Sequence, residues 1–401
     1  MINLWKIVSL VGIIVFIALA WIISENRKKV GWVTVAWGLA LQFVFALLIL
    51  KTRAGMVLFD LARIAFDKVV GFSDKGASFL FGSLINDVNI GAIFAFKVLP
   101  IIIFVSSLMG ILYYLGVIQF FVSLGAKIMK RSMRLSGAES FGAALFAFMG
   151  IEGATAIGAY VSSMTRSELF VIMSAYMATI ASSVMVTYST FGAEPGHLLA
   201  ASIMSVPAAV LIAKVMVPET ESPQTLDVTA GGAPKTETNM VEAAANGASV
   251  GVNLAIQVGA VLIAFIGIIW MINFGLGLIG TSFEGIMSVI FWPFAVLMGI
   301  PPAEAGVAAK MLGTKTVFNE FIGYLQLKDV IAAGTMSPRS IVIMTYALCG
   351  FANFGSMAIL IGGLGGLAPG RKAEVSSLGI RAIVSGTLAS FITACIAGML
   401  Y

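Results

Sequence analysis

The sequence predicts an all-α integral membrane protein: about eight transmembrane helices plus two re-entrant hairpins in an inverted repeat, with interfacial helices. Three observations carry that prediction. Of the 401 residues 59% are hydrophobic and only 11% are charged, with a mean hydropathy of +1.02, far from soluble averages. Several apolar runs exceed the roughly 18 residues that mark a spanning helix, and the short alternating segments of an outer-membrane barrel are absent. Two further apolar stretches are interrupted by polar residues in mid-run, as backbone broken at membrane depth would be.

Taken in order, the first run is Leu4 to Ile23. It is too long for a signal-peptide core and no small-residue cleavage site precedes Glu25, so it is expected to be a helix. The other expected spans are Gly31 to Leu50, Gly91 to Gly116, Leu169 to Thr190, Leu198 to Val217, Gly251 to Met271, Ile341 to Gly362 and Leu378 to Leu400. With the N-terminus outside, the inner segments hold Arg27, Lys28, Lys29, Lys127, Lys130, Arg131, Arg134, Arg166, Lys214, Lys235, Arg371, Lys372 and Arg381. That is more than half of the 24 basic residues, so the positive-inside rule puts both termini outside. The stretch Pro218 to Ala248, rich in Thr, Ala, Gly and acids, reads as an inner linker between two halves.

Four regions follow: N-terminal scaffold helices over 1–90, a first repeat over 91–217, a cytoplasmic linker over 218–250, and a second repeat over 251–401. Each repeat runs as a spanning helix, a shorter amphipathic stretch (Val117 to Met133; Phe283 to Leu297), an interrupted apolar stretch and two more spans. The interrupted stretches, 138–161 and 301–331, are expected to be the re-entrant hairpins. The parallel is one of hydropathy. Because the second half enters from the opposite side, this is the plan of many secondary transporters, with a site near the bilayer midplane built from discontinuous helices.

The polar residues at those interruptions are the candidate site: Asn319 and Glu320 in the second hairpin, Asn353 and Ser356 on the helix after it, and Glu152 at the tip of the first. An ionised carboxylate at a helix centre costs on the order of 3 kcal/mol on insertion scales, so it needs water, a partner or a ligand. Polar glue between helices is the plain reading of Asn353 and Ser356 taken alone. Glu320 beside Asn319 offers a strong acceptor and amide donors, a set suited to a neutral ligand with several hydroxyls, such as a sugar or riboside. Lys97 reads as a structural partner, His197 as a solvated loop residue, and Lys315 as a counter-charge to Glu320 or a support for the hairpin backbone. Cys349 and Cys395 lack metal-ligand spacing and read as packing residues. The Lys127–Arg134 cluster reads as a headgroup contact and not a nucleic-acid site. Gly362 to Lys372 lacks the spacing of a phosphate loop.

The stretch GTKTVFNEFIGY, Gly313 to Tyr324, resembles the signature of the concentrative nucleoside transporter family, G/A-x-K-x-x-x-N-E-F-V/A-x-Y. The match runs through Gly313, Lys315, Asn319, Glu320, Phe321 and Tyr324, and Ile322 is the one departure. FANFGS is similar to the family's F-A-N-x-S-S, and GIPPAEA to its G-V-P-x-x-E-A. DKGASFLFGSL, TRSELF and VMVPETE extend the likeness over nearly the whole chain. The resemblance implies a homotrimer in the bacterial cytoplasmic membrane, each protomer carrying nucleosides inward with Na+ or H+ and needing no other cofactor. It also implies that Glu320, Asn319, Asn353 and Ser356 hold the ribose with Phe351 packed close by, and that Gly150, Ile151, Glu152 and Val184 face the base.

The first hairpin departs from the family. The family pattern there is G-Q/N-T/S-E-A-P, whereas this chain has GIEGAT, Gly150 to Thr155, which reads as one residue shorter. Aligning Glu152 with the family's base-contacting glutamate leaves Ile151 in place of an amide and a hydroxyl, which points to a purine preference. Sodium-coupled members place an asparagine just upstream, but Ala144 to Gly150, ALFAFMG, has no side-chain oxygen. Thr179 and the Thr179 and Ile180 carbonyls are the remaining ion ligands, few for a hard cation that takes about six oxygens. The expectation is proton coupling with Glu152 as the leading relay and Glu320 the second; the alternative is a sodium-coupled pyrimidine or broad-specificity symporter. A passive channel has no need of paired hairpins, and an intramembrane hydrolase lacks a nucleophile with a matched base.

Overall fold

The computed structural model describes residues 4–85, 94–226 and 237–401, without the side chains of Ser83, Phe94 and Glu152. Among them there is no strand. The chain begins with α1 (Leu4–Ile22), α2 (Trp32–Lys51) and α3 (Arg53–Phe81). After a short α4 (Phe94–Lys97) come α5 (Leu99–Tyr114), α6 (Val117–Met133), α7 (Gly137–Phe146), α8 (Ala154–Val161), α9 (Arg166–Ala178), α10 (Ser182–Ser189) and α11 (Pro195–Met216). The remainder is α12 (Met240–Gly277), α13 (Phe283–Leu297), α14 (Pro302–Val317), α15 (Glu320–Ala333), α16 (Pro338–Leu348), α17 (Phe354–Leu367) and α18 (Lys372–Leu400). Seven helical segments among these are long and apolar enough to cross a bilayer, and a bent pair, α13 with α14, makes an eighth.

The element order repeats. α5 to α11 run as long helix, amphipathic helix, two-helix hairpin, broken helix, long helix, and α12 to α18 run the same way. Local chemistry repeats with it. Each hairpin opens with a glutamate at its third helical position, Gly137-Ala138-Glu139 and Pro302-Ala303-Glu304. Each broken helix opens on a hydroxyl cap inside a Met-Ser/Thr…Arg-Ser string, Met164 to Ser167 and Met336 to Ser340. Glu139 and the Thr165 and Ser337 hydroxyls accept from backbone N–H donors that lipid could not satisfy, while Glu304 accepts from the Ser337 hydroxyl. Two complete capping boxes, Ser136 with Glu139 and Thr165 with Glu168, start α7 and α9. A Thr225 hydroxyl bridges them, bonding the Ser136 Oγ at 3.2 Å and the Glu168 carboxylate.

Several expectations change. The spans Leu169 to Thr190 and Ile341 to Gly362 are not continuous: the first breaks at Thr179–Ala181 and the second at Cys349–Asn353. Apolar composition hides such breaks, because hydropathy averages over them. The long helix expected from Gly251 starts at Met240, eleven residues inside the stretch read as linker, because Asn239 caps it by accepting from the Val241 and Glu242 amides. The expected start of the third span, at Gly91, and linker residues 227–236 lie outside the described residues. α13 and α14 meet at 119°. Gly299 makes that corner with φ +93, and a Cβ there would lie 2.1 Å from the Ser9 Oγ.

Burial divides the helices. α9 and α11 are covered on nearly all sides, as is the last half of α18, whereas α12 keeps long apolar side chains such as Ile263, Trp270 and Phe274 exposed. α5 and α12 pack backbone to backbone: a Cβ on Gly110 would stand 2.5 Å from the Ala243 carbonyl, and one on Gly247 2.5 Å from that of Ser106. Small residues give helices this close approach where water provides no driving force.

Candidate functional site

The site is built where the two broken helices cross. Phe351 N, in the second break, donates to the Thr179 carbonyl, in the first, at 3.2 Å. Gly350 permits the contact, since a Cβ there would sit 3.0 Å from both the Met177 and Ala178 carbonyl oxygens. The turn of the first hairpin is tied to the same place by Ser182 N donating to the Phe148 carbonyl at 3.1 Å. Lys315, buried on α14, reaches across to the carbonyl of Ala347 at 2.8 Å, just before the second break. The bond goes to the broken helix α16 and not to the hairpin's own backbone, and the ammonium also lies close enough to Glu320 to act on it electrostatically.

Around this crossing lies a cavity of about 410 Å³. Its wall brings together Gly150, Ile151, Val184, Asn319, Glu320, Phe351, Asn353 and Ser356, residues spread over two hundred positions of sequence. Thr179 and Ile180 are buried at the first break and do not line it. The Thr179 hydroxyl donates to the Ala175 carbonyl at 2.8 Å. The Glu152 side chain lies outside the described residues; its backbone belongs to a short 3₁₀ turn over Ile151–Gly153.

The polar groups hold one another in fixed orientations. Asn353 caps α17 by accepting from Ser356 N at 2.7 Å, which turns its amide nitrogen toward the Glu320 carboxylate at 2.9 Å. Asn319 caps α15 by accepting from Ile322 N at 3.0 Å, leaving its own amide nitrogen for a ligand. Glu320 takes a second bond, at 2.7 Å, from the hydroxyl of Tyr188. A third bond comes from its own backbone N–H, and since a carboxylate offers about four acceptor positions, acceptor capacity remains for a ligand hydroxyl. Glu320 is the sole charged side chain on the described cavity wall. A phosphate would meet that carboxylate with no cation to balance it, whereas a neutral polyol suits it. The rings of Tyr176, Phe318, Phe321 and Phe351 join aliphatic side chains such as Leu254, Val258 and Ile359 in the apolar part of the wall. Tyr176 and Phe351 lie 5.5 Å apart, centroid to centroid.

Sequence reasoning missed Tyr188, Tyr176, Phe318 and Gln257. Tyr188 was legible in part, as it lies one helical turn beyond Val184 on the same face. Gln257, a long amide in the middle of the apolar helix α12, was an intramembrane polar residue that hydropathy alone should flag. His197 differs from expectation. It lies in the first turn of α11, with its ring 5.0 Å from Phe59 and Nδ1 3.2 Å from the Tyr346 hydroxyl, and is not a solvated loop residue.

Three family models match the chain end to end: "Na+ dependent nucleoside transporter N-terminus" over residues 11–84, "Nucleoside recognition" over 95–195, and "Na+ dependent nucleoside transporter C-terminus" over 197–398. The chain belongs to the concentrative nucleoside transporter family. Among its relatives is an uncharacterized transporter of Haemophilus influenzae, 43% identical over 98% of this chain and 97% of the relative. Rat Solute carrier family 28 member 3 is 42% identical over 98% of this chain. The chain spans about 59% of the length of that rat protein. Among solved structures, CNTnw in an inward-facing substrate-bound state superposes with a TM-score of 0.94 at 38% identity, covering 99% of this chain and 98% of that one. A CNTnw variant in an outward-facing state gives 0.93 at 37%. This member of the concentrative nucleoside transporter family therefore shares its fold over nearly the whole chain with CNTnw.

Proposed function

We propose that this chain is a secondary active transporter that imports nucleosides by symport with a cation, H+ in preference to Na+, and that it prefers purine nucleosides. The observation that carries the reading is the Glu320 carboxylate, oriented by Asn353 and Tyr188 on a cavity whose described wall holds no other charge. Its volume falls in the range of about 300–1,000 Å³ typical of small-ligand sites. Glu320, Asn319, Asn353 and Ser356 take the ribose with Phe351 beside it. The base lies toward Gly150, Ile151 and Val184, with Glu152 at the same turn. Two repeats, the first ending with α11 and the second beginning with α12 at Met240, trimeric assembly, a place in the bacterial cytoplasmic membrane and both termini outside belong to the same proposal.

Proton coupling is supported by the lack of any side-chain oxygen from Ala144 to Gly150. The family description "Na+ dependent" favours sodium, with the Thr179 and Ile180 carbonyls as its ligands. The two readings separate in proteoliposomes. One proton moving down 100 mV contributes about 2.3 kcal/mol, enough for roughly fiftyfold accumulation. Uptake is expected to persist when choline replaces sodium, rise on external acidification, collapse with a protonophore and lose its pH dependence in Glu152→Gln. Saturable sodium activation at constant pH, with none of these effects, would refute proton coupling. A panel of purine and pyrimidine nucleosides in the same vesicles reads the base preference; uridine outcompeting inosine, adenosine and guanosine would refute it.

A further inference from the structure

Hairpin 1 and α17 meet through two reciprocal notches. At the first, a Cβ added to Gly363 would stand 2.8 Å from Ile151 Cδ1 and 2.9 Å from its Cγ1. At the second, one added to Gly158 on α8 would stand 3.1 Å from Leu367 Cδ2. Each side supplies one glycine and one branched aliphatic, so the hairpin's second arm lies in register along α17. Only the first notch reaches the cavity, because Ile151 lines its wall. Gly363 itself is absent from the wall and stands one helical turn beyond Ile359, which lines it.

We propose that Gly363 is a specificity-determining position: its missing side chain lets Ile151 withdraw against α17 and so sets how much room the cavity leaves for the base. Contacts below 3.0 Å to a Cβ are not sustained, so any side chain at 363 must displace Ile151. α17 closes the side it would leave, and the displaced isoleucine moves toward the cavity. A hydrophobic wall that advances by about one methylene discriminates by roughly 10- to 200-fold. The two-ring purines, which need the depth, lose more than the one-ring pyrimidines. This inference rests on the nucleoside site proposed above and names the position that tunes it.

The test is a cycle of Gly363→Ala, Ile151→Ala and the double substitution in the full chain, reconstituted in vesicles, with adenosine and uridine as probes. Gly363→Ala is expected to raise the KM for adenosine relative to that for uridine by roughly tenfold or more. In the Ile151→Ala background the same substitution is expected to change that ratio by less than about twofold, because nothing is left to displace. Equal loss for both nucleosides, or the same ratio change with and without Ile151, overturns the proposal and leaves Gly363 a packing residue. Should Gly363→Ala fail to assemble, Ile151→Ala alone decides. An adenosine-to-uridine KM ratio that falls supports a wall set by Ile151, and an unchanged ratio refutes it. Wild-type vesicles that take up neither nucleoside refute the underlying site instead, and this inference with it.

Discussion

Replacing Glu320 by Gln or Ala tests the centre of the site. In Glu320→Gln the shape is kept and the charge lost. Asn353 cannot rotate its amide to suit the new side chain, because its oxygen is held as the cap of α17 by Ser356 N. The new glutamine must therefore turn its oxygen to the Asn353 Nδ2 and its amide nitrogen to Tyr188, whose hydroxyl can accept as well as donate. The network survives, and only the charge-assisted bonds to a ligand are weakened. A bond to a charged group contributes about 1.5–3 kcal/mol, so each ribose hydroxyl held by Glu320 is worth roughly 10- to 150-fold in Kd at about 1.4 kcal/mol per decade. Glu320→Ala goes further, leaving the Tyr188 hydroxyl and the Asn353 amide buried without an acceptor at about 1–3 kcal/mol each, and is expected to abolish uptake while the protein still inserts. Calorimetric titration of purified protein with a nucleoside, alongside vesicle uptake, measures both. Free nucleobases, lacking the sugar, are expected to compete far more weakly. A Kd for either variant within about threefold of wild type, or a free base competing as well as its nucleoside, would remove Glu320 from ligand recognition.

Two further outcomes test the scaffold. Gly350→Ala places a Cβ 3.0 Å from two backbone carbonyls of the crossing helix; overpacking of this kind costs about 1–3 kcal/mol, and a thermal midpoint in detergent equal to wild type would show that the two breaks are not closely packed. Glu25, in the loop after α1, is bonded by Arg166 Nη2 at 2.8 Å and Nε at 3.0 Å, and the Arg166 hydrogen bonds hold its carboxyl below the ordinary 4.5. A depressed carboxyl stabilises the folded state above the unfolded value and loses that contribution as pH falls through the folded value. The pair is partly exposed, which limits it to under about 1 kcal/mol. Glu25→Gln is therefore expected to lower the midpoint slightly at neutral pH and by progressively less as the pH falls below the ordinary carboxyl value; an unchanged drop as the medium is acidified would contradict the ion pair.

Composition alone decided that this chain lives in a bilayer, because the cost of exposing so much apolar surface to water depends on amount and not arrangement. Run length decided most spans, and the string from Gly313 to Tyr324 pointed to the family and to Glu320. Sequence did not show that two spans are broken, since Thr179–Ala181 and Cys349–Ala352 are as apolar or small as helix interior and Asn353 alone also fits a polar contact between continuous helices; the breaks are held open by bonds between elements, Phe351 N to the Thr179 carbonyl above all. Nor could it show that Tyr188 and Asn353 share one carboxylate, or that Gly363 makes room for Ile151. Hydropathy and capping are local and additive, so a linear string records them. Which donor finds which acceptor across more than a hundred residues depends on how the helices cross, and only the packed structure fixes that.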